Sequence, residues 1–314
     1  MIQFIKVKKR LLIFISLVLV FGFYFFTNEA RAAFLYFEPE QGEYYQEDVF
    51  IVEVKLDTEE ERINALKVEL TFPQDKLEVV DVSRGDSVLS LWPEEPTYSN
   101  LEGKVSFIGG IPLGFEGQGK IVSIPFRVIS SEESETLAEI TFQDSSRALL
   151  NDLLGSETSL TLKKAIFTLF PETAEDSRDE WTQELVKDNI PPESFEIMLR
   201  KDPLIFDGKY FIAFFTTDLG TGIDYYEVKE GDGPWKRAVS PYLLEDQSLQ
   251  GLIKVKAVDK AGNERIAELM PPIPVEPFYK NILFWSILII IIILIIITYI
   301  FKLKSLRKKY PGSI

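Results

Sequence analysis

Through residues 34–168, apolar and polar side chains alternate in many short runs. Between Phe50 and Leu56 the even positions are apolar, while Glu53 and Lys55 point the other way. Leu66, Val68, Leu70 and Phe72 alternate with Lys67, Glu69 and Thr71. Val122, Ile124, Phe126 and Val128 alternate with Ser123, Pro125 and Arg127, and Ala138, Ile140 and Phe142 with Glu139 and Thr141. A period of two predicts strands with one buried face. Turn chemistry at Pro73-Gln74-Asp75, Arg84-Gly85-Asp86, Glu102-Gly103 and Gly117-Gln118-Gly119 separates them. Such spacing without helical stretches predicts a β-sandwich over 33–168, with Pro125 at an edge or bulge because it has no N–H to give a ladder.

The pattern then breaks. Residues 169–192 are rich in Asp and Glu and end in Pro191-Pro192, which reads as a linker with one short helical turn around Trp181–Val186. A second β period resumes at Phe195, Ile197 and Leu199, and Tyr210–Phe215 is apolar on both faces, as in a central strand. Gly231-Asp232-Gly233 and Asp259–Asn263 are turn chemistry. Residues 193–270 are therefore expected to form a second, smaller sandwich, with Trp235 in its core. Pro271-Pro272-Ile273-Pro274 stiffens a stalk over 271–280. The predicted fold class is all-β, two unlike sandwiches, plus one C-terminal transmembrane helix.

Two apolar segments bracket these modules. Lys6, Lys8, Lys9 and Arg10 precede Leu11–Phe26, and Ala30-Arg31-Ala32 follows. This reads as a secretory signal over 1–32, cleaved after Ala32, with an uncleaved anchor as the alternative. Ile282 to Phe301 is almost purely Ile and Leu, interrupted chiefly by Ser286 and Thr298. About 20 helical residues span roughly 30 Å, the thickness of a bilayer core. Tyr279, Trp285 and Tyr299 sit near its ends, and Lys302, Lys304, Arg307, Lys308 and Lys309 follow. Basic residues stay on the cytosolic side, so 281–301 is expected to cross the plasma membrane once, with 302–314 inside and 33–279 outside. No L-P-x-T-G precedes the helix, so it is expected to be retained.

Charge divides at the same boundaries. The chain has 34 basic and 49 acidic residues. In 33–279 the balance is 23 to 48, a net charge near −25. That disfavours nucleic acid, whose phosphates need Lys and Arg. The chain contains neither cysteine nor histidine. It can form no disulfide, Ser-His-Asp triad, Cys nucleophile or His-ligated zinc site. The remaining enzyme chemistry is a carboxylate pair for glycoside cleavage, which needs one acid in an apolar setting. No acid has such a sequence context, so no catalytic residue is assigned and a non-enzymatic protein is expected. No cofactor or metal ligand is assigned either. Ca2+ is considered because carboxylate oxygens suit it and Asp144, Asp152 and Asp218 lie in or near expected loops. The D-x-[DN]-x-[DN]-G calcium loop is absent. The stretch Leu91–Tyr98 reads as a loop presenting Trp92 and Tyr98 between prolines. These two rings are the candidate binding residues, either for a sugar or protein partner or as a cap on the sandwich.

Several phrases also occur in a familiar order. Ala65–Phe72, Asp75–Val82, Arg84-Gly85-Asp86, Gly103–Phe107, Gly119–Val128 and a late Leu149–Gly155 together resemble a cohesin domain, a jelly-roll-like sandwich related to a group of carbohydrate-binding modules. Where that family has Tyr-Asp, this chain has Phe72-Pro73. The resemblance implies binding of a protein partner, a dockerin on a polysaccharide-degrading enzyme, or direct binding of polysaccharide by the same sandwich. It also leaves open a purely structural envelope or adhesion role. Separately, Asp218–Val228, Trp235 and Ala257–Asn263 resemble bacterial immunoglobulin-like or fibronectin-III-like repeats, a likeness that carries no function by itself; beside an outward binding module this one is expected to serve as a spacer.

Overall fold

The computed structural model describes residues 32–130, 135–171, 177–271 and 282–309, with side chains up to residue 302. The signal segment, the stalk beyond Pro271 and the last five residues of the tail lie outside the described residues. By packing, the chain divides into two units. The first comprises residues up to Ser194 together with Thr216–Tyr225 and Ala257–Arg265. The second comprises Phe195–Phe215, Tyr226–Lys256 and the residues from Ile266 onward.

In the first unit the period-two runs become strands β1 (Ala33–Glu38), β2 (Gln41–Tyr45), β3 (Val49–Asp57), β4 (Ile63–Thr71), β5 (Leu77–Val79), β6 (Leu91–Ser99), β7 (Lys104–Phe115), β8 (Gln118–Val128), β9 (Thr136–Phe142), β10 (Arg147–Leu150), β11 (Glu157–Thr158), β12 (Leu160–Leu162) and β13 (Ala165–Phe170). They make two sheets. One has the order β12-β1-β3-β8-β5. The other follows β11-β10-β4-β9-β13-β2, with β7 on the free edge of β4 and β6 outside β7. The inward positions of β3 and β4 are the residues that the alternation picked out: Phe50, Val52, Val54 and Leu56, then Leu66, Val68 and Leu70, all fully buried. Phe37, Phe107, Phe126 and Phe167 join them. Phe37 stacks on Phe142 at 4.2 Å between ring centres, and Tyr44 stacks on Phe50 at 3.8 Å. Each such side chain removed from water contributes about 1.5–3 kcal/mol, so aromatic and branched burial holds the sandwich without a disulfide.

Three expectations are corrected. Pro125 does not lie on an edge strand, because β8 pairs with β3 on one side and β5 on the other, and no bulge falls at Pro125. Its carbonyl accepts from Val80 N at 2.9 Å. A residue's N–H and C=O leave a strand on the same side, so the missing N–H faces the gap where β5 has ended at Val79 and breaks no ladder. Leu91–Tyr98 is not a loop but edge strand β6, paired with β7 alone. Its register slips between Leu91 and Glu94 and again between Glu94 and Thr97, and these irregularities accommodate Pro93 and Pro96. Trp235 is half-buried rather than core; its ring lies under Lys256 Nζ at 5.0 Å from the ring centre.

Within the acidic stretch, α1 (Glu180–Lys187) covers the predicted helical turn. Asp179 caps it, accepting from Thr182 N at 2.8 Å. The helix is seated on β3: Arg178 O accepts from Val49 N, Glu180 Oε2 accepts from Ile51 N at 3.0 Å, and Trp181 is buried. On the outward side of β8, Ser123 and Pro125 are also buried; Ser123 shares a cleft with Trp181 and exchanges backbone hydrogen bonds with Ser83.

The remaining strands form a three-stranded sheet and a four-stranded sheet. The three-stranded sheet is β14 (Met198–Asp202), β15 (Ile205–Ala213) and β18 (Tyr242–Leu243), with β15 central as its double-sided apolar run predicts. The four-stranded sheet has the order β17 (Lys236–Ala238), β16 (Ile223–Glu230), β19 (Ile253–Asp259), β20 (Glu264–Leu269). The second unit's core gathers Ile197, Ile212, Phe214, Val228, Leu244, Leu249, Ile253 and Val255. Helix α2 runs over Ile282–Lys309. Its segment Ile282–Lys302 has a mean hydropathy of 3.1 and buries nothing against the protein, so it is long and apolar enough to cross a bilayer.

Candidate binding face and acidic cluster

The two sheets of the first sandwich differ in what covers their outer faces. Beside β3 and β8, a cleft of about 500 Å³ is walled by Glu53, Lys120, Ser123, Trp181 and Thr221, so α1 and the 220–221 segment cover that face. The outer face of β10-β4-β7-β6 is different. Directly paired antiparallel residues point to the same face, so the registers define it. One row runs Leu149, Ala65, Gly110, Leu91, and the next runs Arg147, Lys67, Ile108, Glu94. Then come Glu69, Ser106 and Thr97, followed by Thr71, Lys104 and Ser99. None of these side chains belongs to the buried core, and Leu91 is 49% exposed. Apolar positions at one end thus grade into charged and hydroxyl positions, the mixture that protein interfaces use. Glu69 is held below the usual glutamate range, first by a hydrogen bond from Lys67 and then by one from Ser145. It therefore stays ionised on this face.

The sequence-nominated aromatics lie on the other side of the strand. Trp92 packs edge-on against core residue Phe107 at 5.8 Å, with the Arg84 guanidinium 5.6 Å from its ring centre. Arg84 also pairs with Glu95. Tyr98 is opposite core residue Val105 but stands at the sheet's rim, 44% exposed, with its hydroxyl donating to Val80 O at 3.3 Å. It borders a polar cleft with Glu69, Thr97, Lys104, Ser106 and Gln143. Ile108, Leu149 and Lys67 were not nominated, because strand pairing alone brings them beside Leu91 and Glu94.

The three loop aspartates separate. Asp144 is in a turn, its carbonyl taken by Arg147. Asp152 is exposed and accepts from its own turn, at Leu154 N and Ser156 N. Asp218 alone enters a carboxylate cluster, with Asp188 and Asp259. Asp188 is the C-cap residue of α1, and its Oδ2 accepts from both N and Oγ1 of Thr221 at 2.7 Å. Asp259 is steadied by Asn263, whose N and Nδ2 donate to its two oxygens at 2.7 and 2.9 Å. Asp218 Oδ2 accepts from Gly220 N and Gly222 N at 2.9 and 2.8 Å. Burial, with the charges of Asp188 and Asp259 adding, outweighs those N–H groups and raises the Asp218 carboxyl above its usual range. Burial also pushes Asp188 up, but its hydrogen bonds from Thr221 and Ile190 prevail and leave it below.

Residues 39–154 match the family model of the cohesin domain. Among solved structures, similar chains include a cohesin from a type I cohesin–dockerin complex of Clostridium thermocellum, at 14% identity and TM-score 0.37, covering 45% of this chain and 95% of that one. A non-cellulosomal cohesin from the archaeon Archaeoglobus fulgidus is similar at 19% identity and TM-score 0.34, covering 46% and 92%. The sixth cohesin of scaffoldin B from Acetivibrio cellulolyticus, in complex with a dockerin, is similar at 17% identity and TM-score 0.35, covering 45% and 100%. No curated protein matches the sequence.

Proposed function

We propose that the cohesin domain of residues 39–154 captures a protein partner of dockerin type and holds it outside a membrane in which α2 is inserted. The observation that carries this reading is the cohesin-domain match over 39–154. The open outer face of β10-β4-β7-β6 supplies the docking surface, with Leu91, Ile108 and Leu149 as apolar anchors and Lys67, Glu69 and Arg147 as the polar surround. The partner would carry the polysaccharide-degrading activity. Signal-directed export, single-pass orientation with the basic tail inside, and a spacer role for the second sandwich complete the proposal.

The test uses the full chain in detergent micelles or nanodiscs against a panel of purified dockerin modules. At least one should bind in the micromolar range or tighter, and Ile108→Glu or Leu149→Glu should weaken it at least tenfold. A second reading, direct polysaccharide binding, draws on the exposed ring of Tyr98 beside its polar cleft. Glycan binding lost in Tyr98→Ala, with no dockerin captured, would favour that reading instead.

A further inference from the structure

We propose that Asp188, Asp218 and Asp259 form a calcium site. One oxygen from each carboxylate lies within 4.8 Å of the others. Calcium bonds oxygen at about 2.3–2.6 Å, so a single ion can span any two of them; magnesium, at about 2.0–2.1 Å, dehydrates reluctantly and suits a cage of protein carboxylates less well. The independent observation is Asp218 itself, which is 2% exposed. Its Oδ2 is committed to the two backbone N–H groups, while Oδ1 is sealed from solvent and has no hydrogen-bond partner in the protein. A buried carboxylate oxygen left so is strongly unfavourable unless a cation or proton meets it.

The protein's own cations do not serve. Among the described residues, no Lys or Arg forms an ion pair with any of the three carboxylates; Lys260, next to Asp259 in sequence, gives its ammonium to both oxygens of Asp81, at 2.8 and 2.6 Å. Three carboxylates and no nitrogen or sulfur ligand select a hard divalent cation over zinc or copper. Each ligand is also held in place from behind: Asp188 by Thr221, Asp218 by the Gly220 and Gly222 amides, Asp259 by Asn263. The site would fasten the end of α1 to the 216–222 and 257–263 segments of the first unit.

The full chain in detergent, stripped with chelator, is titrated with CaCl2 by calorimetry, with MgCl2 in parallel. One calcium should bind per chain, and magnesium at least tenfold more weakly. At a hundredfold excess over Kd the unfolding temperature should rise by about 5–10 °C. Asp218→Asn should lose at least tenfold in affinity, whereas Asp144→Asn, outside the cluster, should bind as the wild type does. Should Asp218→Asn not fold, Asp188→Asn at the half-exposed helix end gives the same reading. No heat and no thermal shift up to about 10 mM calcium would overturn the site, as would unchanged binding in the cluster variants. Stabilisation by lowered pH but not by calcium would assign the cluster to a shared proton and overturn it equally.

Discussion

At the scale of single residues, the two nominated aromatics have different jobs, and stability measurements will separate them. Trp92 covers Phe107 and lies under Arg84, so Trp92→Ala removes packing from the sandwich margin. A loss of about 2 kcal/mol in urea unfolding is expected. Tyr98 keeps a rim position with a long hydrogen bond, so Tyr98→Ala should cost less than about 1 kcal/mol in the same assay. Glu69 makes a pH prediction. Its folded value is depressed, first by Lys67, so its contribution is present above the unfolded value and is lost as pH falls through the folded one. The contribution is small because both side chains are partly solvated. In Lys67→Met the Glu69 carboxyl should move up toward its ordinary value, read by carbon-detected NMR titration.

At the scale of elements, the placement of α1 and of the 83–86 turn decides which face of the sandwich is free. Asp179 accepts from both N and Oγ1 of Thr182, so Asp179→Ala should cost about 1 kcal/mol and speed amide exchange in α1. The 83–86 turn meets the 218–222 segment backbone to backbone: Asp86 N donates to Asp218 O at 2.9 Å and Ser83 Oγ to Thr221 O at 2.6 Å. A Cβ on Gly85 would stand 1.8 Å from Gly220 O, and Gly222, at φ +86°, faces it. Gly85→Ala cannot be absorbed by a rotamer change, so thermal unfolding should show a loss of about 2 kcal/mol or more. Much of this level was legible in sequence, and the reasons are local. Burying one face of a strand forces period two, so β3, β4, β8 and β9 declare themselves. Edge strand β6 did not, because Pro93 and Pro96 are loop chemistry unless a strand pairs on one side only. The face and the acidic cluster were less legible still. Ile108 and Leu149 come together only through β4, while Asp188 and Asp259 are 71 residues apart and read locally as linker and turn.

At the scale of the whole molecule, composition sorts the chain into parts that suit different surroundings. Residues 33–279 carry 48 acids against 23 bases, which favours solubility and repels nucleic acid. Ile282–Lys302 has no polar stripe to offer water and no buried side chain to excuse its hydropathy. Its 21 residues give a helix of about 32 Å, matched to a bilayer core. Lys302 and the basic positions after it are costly to move across a membrane, and the proposed orientation rests on them. Removing 282–302 should shift the protein from the carbonate-resistant membrane pellet to the soluble fraction. In intact cells an added protease should shave residues 33–271 and leave a tag after residue 314 untouched. A tag cut from outside would reverse the orientation, and with it the proposal that the open β10-β4-β7-β6 face is displayed to partners beyond the cell.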